Sequence, residues 1–201
     1  AGPTEHNGEG IASAHDIIRF KHPVSPEDIV PDTLPRALWL DEIDGVALTA
    51  YVQDQAATLR FTHPGLVKTL HVDGSSVTVT WHCAGLAGRR FATRLNLAMP
   101  SCDGFLGRYV LADGSIPGGF GTPLDLPAAS ALNLEDGVLG GSIRLAASIP
   151  AEIRGRPQQT VSQSEAGFEK IMQGVELSFT WTVPGDRCTL QLQLTTQQSA
   201  T

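Results

Sequence analysis

Glu165 and Glu169 stand four residues apart in TVSQSEAGFEKIMQGVELSFTW, residues 160–181, with Gln163 and Gln173 on either side. On a helix an i, i+4 pair shares one face. Two neighbouring carboxylates can split their pKa values and divide acid and base roles, as glycosidases require. The same residues also read as structure: Ser162 followed three positions later by Glu165 has the form of a capping box. Capping or a solvated surface comes before catalysis here, because such motifs are frequent. In DTLPRALWLDEID, residues 32–44, Arg36, Asp41 and Glu42 surround Trp39. The indole offers a face to a sugar, with Arg36 and Asp41 taking hydroxyls; the commoner arrangement is a core indole with solvated charges. The carbohydrate-contacting candidates are therefore Arg36, Trp39, Glu165, Glu169 and Gln173.

Other reactive residue types form no catalytic pattern. The six histidines, His6, His15, His22, His63, His71 and His82, make no HExxH or other metal-ligand spacing. His71 and His82 fall in expected strands and would approach each other across a hairpin. There is no GxSxG elbow, and the glycine pairs at 118–119 and 140–141 read as turns. No metal or cofactor is expected, and no catalytic residue is assigned.

These residues need elements to hold them. Val77, Val79 and Trp81 alternate with Thr78, Thr80 and His82; Val175, Leu177, Phe179 and Trp181 alternate with Glu176, Ser178 and Thr180. Period two predicts half-buried strands. Further strands are expected in HDIIRFKH, TLRFTH, LVKTLHV, FATRLNLAMP and TLQLQLTTQ, with turns at Asp44-Gly45, Pro64-Gly65, Asp73-Gly74 and Asp136-Gly137. The prolines of VSPEDIVPDTLPR place a loop there, and 101–127 reads as long loops. One short helix is expected, EAGFEKIMQ. Residues 1–14 read as a disordered linker or tag remnant, and 15–201 as one domain. The pattern predicts an all-β chain folded as an antiparallel sandwich.

Bulk properties exclude some partners. The net charge is −7 and no basic run exceeds Arg89-Arg90, which leaves no counterion-releasing face for nucleic acid. No apolar run nears the roughly 18 residues of a membrane span. The three cysteines, Cys83, Cys102 and Cys188, lie far apart in sequence. They read as small buried hydrophobes in a reducing cytoplasm.

Two segments together resemble the C-terminal domain of glycoside hydrolase family 57, which includes 4-α-glucanotransferases and related amylases. The closing motif is carried by Ser164, Glu165, Gly167, Phe168, Glu169, Gln173 and Gly174, with Met172 where the family usually has an aromatic. The opening is carried by Asp32, Pro35, Arg36 and Leu38. The resemblance implies a large β-sandwich, a supersandwich of the galactose-mutarotase type, beside a catalytic barrel that holds the family's catalytic residues. It implies an accessory domain, not catalytic alone, that supports the barrel and contacts α-glucan or an oligosaccharide. Two other readings stand beside it. One is a stand-alone mutarotase-like epimerase using Glu165 or Glu169 with His71 or His82; the other is a protein-interaction module. In the first reading the 160–181 stretch routes the chain into a central strand, with Glu165 and Glu169 bonded to backbone donors and Phe168 plugging the core.

Overall fold

The period-two segments are strands in the computed structural model, which describes residues 19–20, 24–53, 59–99, 101, 105–164 and 167–198. Glu165, Cys102 and the 1–14 segment lie outside the described residues. In chain order the strands are β1 Arg19–Phe20, β2 Leu38–Ile43, β3 Val46–Ala47, β4 Val52–Gln53, β5 Arg60–His63, β6 Leu66–Asp73 and β7 Ser76–Ala84. They continue as β8 Arg90–Leu97, β9 Gly107–Val110, β10 Gly118–Gly119, β11 Leu124–Asp136, β12 Gly141–Ser164, β13 Gly167–Thr182 and β14 Arg187–Gln198. A 3-10 turn, Pro26–Ile29, lies between β1 and β2. At the β2–β3 hairpin Asp44 and Gly45 have φ of 50° and 78°, the paired left-handed geometry whose twist suits a two-residue loop.

The strands bond in the order β3-β2-β8-β13-β12-β14-β7-β6-β5-β4, every recorded pairing being antiparallel. The long strand β12 makes this path a sandwich. Its residues 141–147 pair with β14, whereas residues 152–164 pair with β13. Between them the strand changes partner, and so changes layer. Ser148 marks the switch, its hydroxyl accepting the Gln191 amide at 3.0 Å, and the Ile149 carbonyl accepts Trp181 Nε1 at 3.2 Å. The first layer is β3-β2-β8-β13 with the second half of β12. The second is the first half of β12 with β14, β7, β6, β5 and β4.

The alternating apolar residues of both layers meet between them. Trp81 of β7 is fully buried, with its ring 5.4 Å from Phe91 of β8 and 6.1 Å from Trp181 of β13. Burial of such rings is a large part of what holds two sheets together. The architecture is the antiparallel β-sandwich expected from the alternation.

Three local expectations are corrected. From Gly167 onward the segment expected as a helix is strand, paired with β12 out to Ser164↔Gly167. A two-turn helix carrying a glycine is marginal alone, and the ladder to β12 satisfies the same backbone groups. The stretch at 101–127 is not all loop: β9 pairs with β11, and Tyr109 is fully buried. Phe168 does not plug the core; it is 65% exposed. It alternates with buried Met172 and so has inward parity, but the β12–β13 hairpin runs past Val175↔Leu97, the last pairing of β13 with β8. Beyond that point β13 meets β1, and its Lys170 bonds Asp28 of the 3-10 turn at 2.7 Å.

Candidate functional site on the outer face

Residues directly opposite in an antiparallel pair share a face. Along β12 and β13 the outward pairs are Glu152↔Thr180, Arg154↔Ser178, Arg156↔Glu176 and Ser162↔Glu169. Gln173 joins them, its Nε2 donating to Thr160 Oγ1 at 3.2 Å. Glu169, Gln173, Glu176, Ser178 and Thr180 can all face outward only if the strand's parity shifts once between 173 and 176. It does: β13 has a bulge where Gln158 and Gln159 oppose Gly174 and Met172, leaving Gln173 as the extra residue. The result is a lane of polar residues, roughly 33 Å long from Glu152 to Ser162 at about 3.3 Å per residue, interrupted by half-buried Ile171, which shares the face opposite Thr160.

At one end the lane widens across β8 to β2. A depression of about 300 Å³ is lined by Glu42, Arg90, Arg94, Glu152, Arg154 and Glu176, with small Ala92, Ser178 and Thr180 among them. Its charges are interlocked. Arg90 Nη2 donates to Glu152 at 2.9 Å, Arg154 Nη2 approaches the other oxygen of that carboxylate at 2.6 Å, and Arg94 pairs with Glu42. The hydrogen bond from Arg90, aided by the Arg154 charge, holds the Glu152 carboxyl below its ordinary value against a desolvation effect of opposite sign. Arg156 Nη2 donates to Asp125 at 2.8 Å and Nη1 to the Leu124 carbonyl at 3.0 Å. Glu176 has no ion pair or hydrogen bond among the described residues, although it lies between Asn96 and Arg156 in register. Chemically the face offers carboxylate acceptors and guanidinium donors at fixed strand positions, a pattern able to pair with the vicinal hydroxyls of a polyol.

The sequence candidates divide. Glu169 and Gln173 lie on this lane. Arg36 is at the surface, its Nε donating to Asp32 at 2.7 Å; the adjoining Ala37 carbonyl accepts Asn96 Nδ2 at 3.0 Å, beside the Glu176 end of the depression. Trp39 is buried, its ring 6.3 Å from Trp81, so its faces belong to the core. The lane's remaining charges were visible in sequence only as the period-two spacing of Arg90 with Arg94, and of Glu152, Arg154 and Arg156.

Asp41, proposed beside Trp39 for hydroxyl contacts, is instead the hub of a buried network. Its carboxylate accepts Tyr51 Oη at 2.6 Å, Trp81 Nε1 at 3.0 Å, Thr93 Oγ1 at 2.8 Å and Lys68 Nζ at 2.9 Å. Lys68 Nζ also donates to the Trp39 carbonyl at 2.6 Å. Burial, and then the Asp41 charge, push the Tyr51 hydroxyl well above its ordinary value. Tyr51, Trp81 and Lys68 reach Oδ2 and Thr93 reaches Oδ1 of a carboxylate that is buried in the core, so Asp41 does not face a substrate; the network is scaffold. It holds the β2 bulge, where Trp39 has φ of 62°.

The histidines do not meet a lane carboxylate. In β6–β7 register His71 opposes Thr78 and His82 opposes Val67, so the two are not partners. Both are on the outer face of the second layer, with His82 Nδ1 3.1 Å from Thr189 Oγ1. Glu169 is on the outer face of the first. An acid–base pair across one anomeric centre cannot be assembled from groups on opposite sides of a sandwich. Among the described residues no group of three or more His, Cys, Asp and Glu could hold a metal ion, and no helix is long and apolar enough to cross a membrane.

The fold and this face define an antiparallel β-sandwich domain with a charged and amide-bearing outer surface. Residues 54–194 match the family model described as Alpha-amylase/4-alpha-glucanotransferase, C-terminal, and the chain belongs to that family. Among solved structures it is similar to the 4-alpha-glucanotransferase of Thermococcus litoralis, at 15% identity and a TM-score of 0.59, over 92% of this chain and 32% of that one. The chain thus spans about a third of that enzyme's length, and the likeness is one of fold. The Slr1438 protein from Synechocystis sp. PCC 6803 aligns at 13% identity and a TM-score of 0.42, over 85% of this chain and 65% of that one. No curated protein matches.

Proposed function

We propose that residues 15–201 form a single accessory C-terminal domain of an α-glucan-processing enzyme of glycoside hydrolase family 57, acting in the cytoplasm beside a catalytic barrel. In this reading the domain does no chemistry alone. It holds an α-glucan along the outer face of β12 and β13, where Glu169, Gln173, Glu176, Arg154 and Arg156 meet the hydroxyls, with Arg36 at one end. The observation that carries the accessory role is the family match over residues 54–194. The polar lane supports the glucan contact: it is extended like a polymer chain, and its charges are spaced by the strands.

Hydrogen bonds to hydroxyls replace bonds to water, so each adds little net affinity. A dissociation constant on the order of 1 mM follows for a short maltooligosaccharide. Calorimetry of the isolated chain with maltoheptaose tests this. Saturable heat with the wild type, weakened several-fold in Glu176→Gln and Gln173→Ala, supports the reading. Identical heats for wild type and both variants would remove the lane from it.

A further inference from the structure

Cys83 and Cys188 are 105 positions apart in sequence yet directly opposite each other on β7 and β14. The Gly85 amide donates to the Asp186 carbonyl at 2.8 Å, which makes 85/186 a hydrogen-bonded pair. Two positions further along the ladder 83/188 is therefore also a hydrogen-bonded pair, with a Cα separation of about 5.5 Å. That separation lies in the range a disulfide spans. Both cysteines are free, and as directly opposed residues their side chains share one face of the sheet. They differ in access. Cys83 is 3% exposed, whereas Cys188 is half-buried. Both line an open cavity of about 590 Å³ with His63, His82 and Arg187.

We propose that Cys83 and Cys188 are a redox-responsive dithiol that a peroxide converts to a cross-strand disulfide within the second layer. The accessible Cys188 sulfur attacks the peroxide; the O–O bond breaks, water leaves, and Cys188 becomes a sulfenic acid. The Cys83 sulfur then displaces that hydroxyl, the S–S bond forms, and a second water carries off the remaining thiol proton. Two thiols are oxidised and one hydrogen peroxide is reduced to two waters. Burial, and then the neighbouring Cys188, push the Cys83 thiol up to about 12. It is therefore a poor first nucleophile, and the order of events runs from Cys188 to Cys83. The bond would close a loop of about a hundred residues, which restricts the unfolded chain, and it would join β7 to β14 beside the cavity.

The test treats the full chain with a small excess of hydrogen peroxide, blocks remaining thiols with maleimide in denaturant, and maps peptides. Expected are a Cys83–Cys188 cross-linked peptide, maleimide on Cys102 alone, reversal by dithiothreitol, and a rise in thermal midpoint of roughly 10 °C. In Cys188→Ser the cross-link is absent and Cys83 stays a free thiol. Peptide mapping of the wild type is decisive even if that variant fails to fold. The proposal is overturned if Cys188 passes to sulfinic acid without the cross-link, if disulfides form only through Cys102, or if all three thiols remain reactive.

Discussion

A Cβ on Gly174 would overlap the Leu97 carbonyl oxygen. The two residues meet where β8 ends and the β13 bulge begins. The bulge puts Gln173 and Glu176 on one face and Val175 and Leu177 in the core. Gly174→Ala has to move backbone, not the end of a flexible side chain. It is expected to destabilise the domain by roughly 3 kcal/mol, read as a lower midpoint in urea unfolding. A stability within about 0.5 kcal/mol of wild type would show that the bulge is not held there.

Asp41 and Lys68 are each nearly inaccessible, so removal of one leaves the other as a buried unpaired charge. Asp41→Ala is expected to lose about 3–5 kcal/mol. The double variant Asp41→Leu with Lys68→Met should be distinctly more stable than either single one, because no charge is stranded. Denaturant titration of the three variants checks this; additive losses would contradict it.

Trp39 and Phe168 make opposite predictions. Trp39→Ala opens the core beside Trp81 and is expected to cost about 3–5 kcal/mol, whereas Phe168→Ala should stay within about 0.5 kcal/mol of wild type. Thermal melting followed by circular dichroism separates them.

The sandwich was legible because its signal is repeated: β7, β8, β13 and β14 each alternate over several residues, and a wrong register would expose every buried member. The Asp44-Gly45 and Pro64-Gly65 turns were legible from local chemistry; the turn expected at Asp73-Gly74 falls one residue later, at Gly74-Ser75, with Asp73 the last residue of β6. The end of the β12–β13 hairpin was not. Its short helix-like spacing was outweighed by a long ladder, and nothing in GFE reveals that the hairpin outruns β8 and leaves Phe168 in solvent. The site was half legible. Glu169 and Gln173 carry local signal, but their alignment with Glu176 and Arg156 depends on one extra residue in a strand. For Trp39 the core reading preferred from sequence holds, whereas Asp41 read as solvated or hydroxyl-binding because sequence does not show that Lys68, Tyr51, Trp81 and Thr93 converge on it. The Cys83–Cys188 pairing depends on strand order, which spacing does not encode.

Acid should release the 3-10 turn before the sandwich unfolds. Asp28 is held at about 2, against an ordinary 3.8, first by its hydrogen bond from Lys170 and then by the Ser25 amide and hydroxyl. A carboxyl with a lowered folded-state pKa binds its proton less readily when folded. Its contribution is therefore complete above the ordinary value and lost as pH falls from about 3.8 to about 2. Amide exchange at Ser25 is expected to rise across that window while core strand amides stay protected. Asp28→Asn should show the faster Ser25 exchange already at neutral pH. Exchange independent of pH in that interval would refute the tether.

The most direct test of the central claim, that the outer lane of β12 and β13 receives an α-glucan, is a titration of the isotope-labelled domain with maltoheptaose, followed by amide chemical shifts. The account predicts saturable shifts concentrated on residues 152–162 and 169–180, and no comparable change on β6 or β7. Unmoved lane amides at saturating sugar, or shifts gathered on the opposite layer, would contradict it.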